Sequence, residues 1–189
     1  MKKVFVLLLF CCIAAVSAQQ KIAVVNMDTL FREYYKTKIV EANLKRQADI
    51  YKDYALKLQE EIKRLQAEFV DLRDAALNVV LTEAARESKR LAAKDKYRQL
   101  TGKENELKDY NREKQAQLRD EQDKQRAKIL KEIQEVVKNQ AVLSGYTIVL
   151  DNNAFSLAAL PAVVYAAPST DITASVLKEL NAGHHTEKK

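Results

Sequence analysis

Side chains able to do chemistry are scarce in this sequence, and their spacing argues against catalysis. The histidines are His184 and His185, side by side near the end, and the cysteines are Cys11 and Cys12, near the start. Two adjacent imidazoles in a polar tail make a weak metal site, because a firm zinc site fixes four ligands. Asp151-Asn152-Asn153 lacks the glycine and distal glutamate of a calcium loop and reads as turn chemistry. There is no glycine-rich phosphate loop. No serine or threonine is set against a plausible histidine base, and no carboxylate pair falls in an expected cleft. The expectation is a non-enzyme with no cofactor and no bound metal.

One stretch carries charge mostly of one sign. From Thr82 to Thr101, Arg86, Lys89, Arg90, Lys94, Lys96 and Arg98 outnumber Glu83, Glu87 and Asp95 by three. Leu91, Tyr97 and Leu100 interleave apolar surface. Such a stretch is either a solvated helix face or a lining for acidic clients or anionic lipid head groups. In the second case many weak contacts act together, and salt weakens them.

Helices must position these residues. Between Gln19 and Ser144 there is no proline and one glycine, Gly102, so helix breakers are nearly absent over more than a hundred residues. Leu44, Ala48, Tyr51, Ala55, Leu58, Ile62, Leu65, Phe69, Leu72 and Ala76 follow at alternating steps of four and three, which is a heptad seam. Glu41 with Lys45, Glu60 with Arg64, Glu104 with Lys108 and Asp120 with Lys124 stand at i,i+4 and support an exposed helix. The chain is expected to turn back near 78–82. Asn78 would end one helix in left-handed geometry and Thr82 would cap the next; Gly102 is the competing turn. The second arm is poor in apolar residues between Leu107 and Lys128, and its seam would carry Glu, Asn, Lys and Gln. That pattern suits a loosely paired hairpin over 37–144. Apolar spacing returns from Ile129 through Ile133, Val136, Val137 and Leu143.

The two ends, 19–36 and 145–181, supply a small body. Ile22-Ala23-Val24-Val25 reads as a strand, and Asp28 as the cap of a short helix burying Leu30 and Phe31. Tyr146 to Leu150 reads as a second strand and Ala162 to Ala166 as a third. A last helix would place Ile172, Val176, Leu177 and Leu180 on one face. Ile22, Val24, Val25, Leu30, Phe31, Ile148, Leu150, Val164, Ile172, Val176, Leu177 and Leu180 are the expected core and oligomerisation residues, and 182–189 a disordered tail. The fold class is α+β: a strand-and-helix body with a long α-helical hairpin inserted between its first and second strands. A body of about fifty residues is marginal alone, so oligomerisation through strand edges is expected.

The first residues address the compartment. Lys2 and Lys3 precede the apolar run Val4 to Val16, and Val16-Ser17-Ala18 places small residues before Gln19. This is the pattern of a cleaved signal peptide over 1–18, cut between Ala18 and Gln19; the run is shorter than the roughly 20 residues of a membrane span. Cleavage removes both cysteines and lowers the net charge from +6 to +4. That mild surplus does not argue for nucleic acid, which an exported protein seldom meets.

The end motifs resemble the Skp/OmpH family of periplasmic chaperones. Lys21-Ile22-Ala23-Val24-Val25-Asn26-Met27 with Leu30-Phe31 is similar to the family's opening strand and helix. Ile148-Val149-Leu150-Asp151, then Asp171-Ile172-Thr173, Val176-Leu177-Lys178 and Leu180-Asn181, are similar to its close. The resemblance implies a homotrimer whose bodies join in a barrel-like hub, with three hairpins hanging as tentacles around a cavity. It also implies ATP-independent holding of unfolded outer-membrane proteins in the periplasm. Anionic lipid and lipopolysaccharide are further candidate partners. The chain departs from the family between Asp151 and Tyr165, where it carries extra residues including Leu157-Ala158-Ala159-Leu160-Pro161. A structural or adaptor coiled coil of the envelope is the alternative, and it would need an apolar seam in both arms.

Overall fold

The computed structural model describes residues 20–184. The expected signal peptide, its Ala18–Gln19 junction and His185 lie outside the described residues. Strand β1 (Ile22–Val25) leads into helix α1 (Met27–Glu33), and the long helices α2 (Tyr35–Leu77) and α3 (Glu83–Ser144) follow. Strand β2 (Ile148–Asp151), a 3₁₀ turn (Pro168–Thr170) and helix α4 (Thr173–Leu180) complete the chain. The protein is α+β and mostly helical, with a helical hairpin between its two strands. Its described residues form two compact units, one of 20–37 and 129–184, the other from Lys38 to Lys128.

In the end unit β1 and β2 pair in parallel, Ile22 opposite Ile148 and Val25 opposite Asp151. Ala23, Val24 and Val25 are buried. Leu30, Val176 and Ile133 are fully buried, joined by Tyr34, Ile129, Ile172 and Leu180. Helices α1 and α4 contact one another. The returning apolar spacing at Ile129 and Ile133 is therefore what draws the end of α3 into this unit.

Local hydrogen bonding explains the boundaries. The cap of α1 is Asn26, not Asp28: the Thr29 N–H donates to Asn26 Oδ1 at 2.8 Å. Asp28 stands in the first turn, where the helix dipole favours an acid. Gly145 (φ 71°) ends α3. Its N–H donates to the Val142 carbonyl and the Tyr146 N–H to the Ala141 carbonyl, the paired bonds of a Schellman cap. Asp151 does turn work: its Oδ1 accepts from the Met27 and Asn153 N–H groups at 3.2 and 2.9 Å.

The third strand expected over 162–166 does not form. On the side away from β2, β1 meets Asp171 through a bridge at Val24, so no ladder position beside β1 is left. The segment between Asp151 and the 3₁₀ turn instead closes on itself through Phe155 opposite Pro161. Val164 and Tyr165 are 90% and 82% exposed, and Val164 is thus not a core residue of the single chain. Phe31 and Leu177 are half-buried, while Ile22, Ile148 and Leu150 are exposed. Of the tail, the described residues 182–184 make local contacts. The His184 N–H donates to the Asn181 carbonyl at 3.1 Å, and its ring stacks on Tyr35 at 4.1 Å.

Thr37 is buried, and its Oγ1 has no hydrogen-bond partner among the described residues. An unpaired buried hydroxyl costs free energy that a methyl of similar shape does not. Thr37→Val is expected to raise stability by about 1 kcal/mol, read from the urea midpoint. A lowered midpoint would mean that the hydroxyl is bonded.

Candidate functional site

The unit from Lys38 to Lys128 contains the helix pair and the basic stretch. Spacing on α2 dictates the seam: all ten positions from Leu44 to Ala76 are buried or half-buried. The turn falls between Leu77 and Glu83. Asn78 does not take left-handed geometry, since Ala159 is the one non-glycine residue with positive φ among the described residues. Instead Asn78 Oδ1 accepts the Val80 N–H at 2.9 Å. Thr82 caps α3, its Oγ1 accepting the Ala85 N–H at 3.3 Å. Gly102 lies inside α3.

The facing seam of α3 follows the same spacing with different chemistry. Ala93, Leu100 and Leu107 alternate with Lys96 and Lys103, and Tyr110, Lys114 and Leu118 follow; all are buried or half-buried. The lysines are tied in. Lys96 Nζ lies 2.5 Å from Glu68. Lys103 Nζ reaches Glu61 at 3.2 Å and Glu106 at 3.0 Å, and the Tyr54 hydroxyl donates to Glu106 at 3.2 Å. Lys114 sits over the Tyr51 and Tyr110 rings, 5.4 and 5.7 Å from their centroids. Phe69 and Tyr97 meet at 5.5 Å. The buried residues of this unit, Leu58, Leu65, Ala76, Ala93 and Leu100, all lie toward the turn. The pair is thus packed at its turn end and polar elsewhere.

These contacts shift titrations. The Lys96 ammonium holds the Glu68 carboxyl below its ordinary value, and Lys103 does the same for Glu106. Glu106 and then Glu61 raise Lys103. A carboxylate with a depressed folded pKa adds stability above its unfolded pKa, about 4.3 for Glu, and loses it as pH falls through the folded value. Helix pairing around Glu68 and Glu106 is therefore expected to be unchanged from pH 7 down to about 5 and to weaken below about 4. Amide exchange at residues 58–70 against pH reads this, and protection constant to pH 3 would contradict it.

The structure divides the predicted basic residues. Arg86 pairs with Glu83, Arg90 with Glu87 at 2.5 Å and Arg98 with Asp95 at 3.4 Å. Lys96 and Leu100 belong to the seam, whereas Leu91 and Tyr97 are more than half exposed. Lys89 and Lys94 are exposed with no carboxylate partner among the described residues. Of the expected i,i+4 pairs, Asp120 with Lys124 forms at 2.7 Å, while Arg64 turns to Glu68. The seam lysines Lys103 and Lys114 escaped a reading that followed apolar residues alone. Stepping by three and four from Leu100 irrespective of residue type finds them.

Among the described residues no cluster of His, Cys, Asp or Glu could hold a metal ion, and no helix is long and apolar enough to cross a membrane. Residues 21–180 match the family described as outer membrane protein (OmpH-like). A curated protein named Chaperone protein Skp, from Pectobacterium atrosepticum, is 30% identical over 167 residues, covering 88% of this chain and 89% of that protein. Its namesake from Yersinia enterocolitica is 30% identical over 163 residues, covering 85% of each. That from Blochmanniella pennsylvanica is 28% identical over 169 residues, covering 89% of this chain and 90% of that one. The match runs from β1 through both long helices to α4, and the chain belongs to the OmpH-like family.

Proposed function

We propose that the protein is an ATP-independent holding chaperone that keeps unfolded outer-membrane proteins from aggregating in the periplasm. Its relatives carry the name of a chaperone across most of their length. The observation that carries the reading is the mismatch of the two seams, apolar on α2 and studded with Lys96, Lys103 and Lys114 on α3. An adaptor coiled coil would bury apolar residues on both arms. A pair held partly by partly exposed ionic contacts, which contribute little, adapts to varied clients. No bond-making chemistry is assigned to it, and the signal peptide read over residues 1–18 supports export.

The proposal includes a homotrimer built from the end unit. β2 is paired on one side only among the described residues. Ile22, Ile148 and Leu150 expose apolar surface beside it, and the segment 162–166 forms no strand. Open edges and an undersized core are both relieved by other copies.

The test is light scattering after a urea-unfolded outer-membrane β-barrel is diluted with and without the mature protein. Suppression at about one trimer per client is expected; none at several-fold excess would sink the reading. Lys89 and Lys94 are the exposed basic groups left for acidic clients or anionic lipid. Lys89→Glu with Lys94→Glu is expected to weaken holding several-fold at low salt. The difference should vanish near about 1 M salt, where screening acts within about 3 Å. Equal weakening at every salt concentration would count against an electrostatic role.

A further inference from the structure

Between α2 and α3, beyond the Tyr51–Tyr110 contact as seen from the turn, lie two adjoining grooves of about 300 and 180 Å³. They share Gln47 and Glu121. Val40, Leu44 and Leu118 supply apolar lining, and Asn43, Gln47, Gln117 and Gln125 contribute four amides. The grooves exist because no fully buried side chain lies at 38–57 or 101–128. Gln47 donates to the Tyr51 hydroxyl at 2.9 Å and Gln125 to Glu121 at 2.7 Å, each along its own helix. Their carbonyl oxygens have no partner among the described residues.

We infer that this groove binds a short extended segment of an unfolded polypeptide through its main chain. The inference rests on the holding reading above and names where that contact is made. An extended backbone alternates N–H donors and C=O acceptors, and a side-chain amide answers both. Recognition of this kind ignores client sequence, while the leucines take whichever apolar side chain comes. From Val40 to Tyr51 the groove runs about 17 Å along the helix, the length of about five extended residues. Its charged lining is Asp120 and Glu121, with no cation, and Asp120 is paired with Lys124. The groove therefore favours neutral or basic segments and complements Lys89 and Lys94 near the turn, which favour acidic ones.

The test uses the full mature protein and a urea-unfolded eight-stranded outer-membrane β-barrel. Photocrosslinking from p-benzoylphenylalanine at Gln47 should capture the barrel, and the same probe at exposed Lys57 on the same helix should capture much less. Gln47→Leu with Gln125→Leu keeps side-chain size but removes the main-chain partners. It should raise the Kd for the barrel about tenfold, as loss of one or two hydrogen bonds would, with far-ultraviolet ellipticity unchanged. Capture from Gln47 no greater than from Lys57, or capture of a second copy in place of the barrel, overturns the inference while holding stands. So does a Kd within twofold of the parent. Should the double variant lose helicity, the crosslinking comparison decides. A parent protein that leaves the barrel to aggregate removes the holding reading itself.

Discussion

Leu30→Ala is expected to unfold the end unit and abolish assembly. Leu30 is fully buried on α1, the helix that contacts α4. Truncating a buried leucine costs about 2–5 kcal/mol, the transfer term plus the cavity. The unit of residues 20–37 and 129–184 is small, and its whole margin of stability is of the same order. Sedimentation should show loss of oligomer, and amide exchange should show protection gone at residues 22–37 and 172–180. Ile133→Ala, on α3 and equally buried, should behave alike. Ile22→Ala is the contrast. Its side chain is exposed in the single chain, so protection within the unit should persist while assembly weakens. Equal loss of protection in all three would mean that the body folds only as an oligomer.

Replacing Lys96, Lys103 and Lys114 together by leucine should raise stability and lower function. Each lysine occupies a seam position on α3 opposite an apolar seam on α2. Its ionic or ring contacts are partly exposed, and such contacts contribute little. Leucine would bury apolar surface at the same positions and complete a two-sided heptad. The melting temperature is expected to rise by about 5–10 °C. Holding of an unfolded β-barrel is expected to fall about tenfold, because a tight pair cannot rearrange around a client. Higher stability with undiminished holding would separate adaptability from function and favour the exposed lysines as the main contact.

Helix α2 was the most legible element. Its ten seam positions obey one repeat, and all ten are buried or half-buried. The turn was legible because Asn78 and Thr82 bond their own neighbours, so nothing distant needed to be known. Strand 162–166 was misread for the opposite reason. Val163, Val164 and Tyr165 favour a strand, but Asp171 occupies the outer side of β1, and the segment before it closes on itself through Phe155 and Pro161 and does not pair with the open edge of β2. Propensity in sheets is context of this kind. The basic stretch was legible in sign but not in availability. A glutamate or aspartate three residues before Arg86, Arg90 and Arg98 absorbs each guanidinium. Lys103 and Lys114 stayed hidden because burial of a lysine stem depends on acids and rings across the pair, which periodicity of apolar residues does not report.

The parallel pairing of β1 with β2 also sets a clock. Thr147 bonds the Lys21 carbonyl across a separation of 126 positions. At about 5–20 residues per second of synthesis, the first strand waits roughly 6–25 s for its mate. Closing so long a loop in a random chain would cost about 4 kcal/mol, but α2 and α3 can form in about a microsecond and bring the ends of the loop together beforehand. The order of events is then fixed by topology: helices first, hairpin next, sheet last. Until the final third exists, no tertiary lock can close on the beginning. A nascent chain wired this way keeps its first strand without a mate until residues 148–151 have been made.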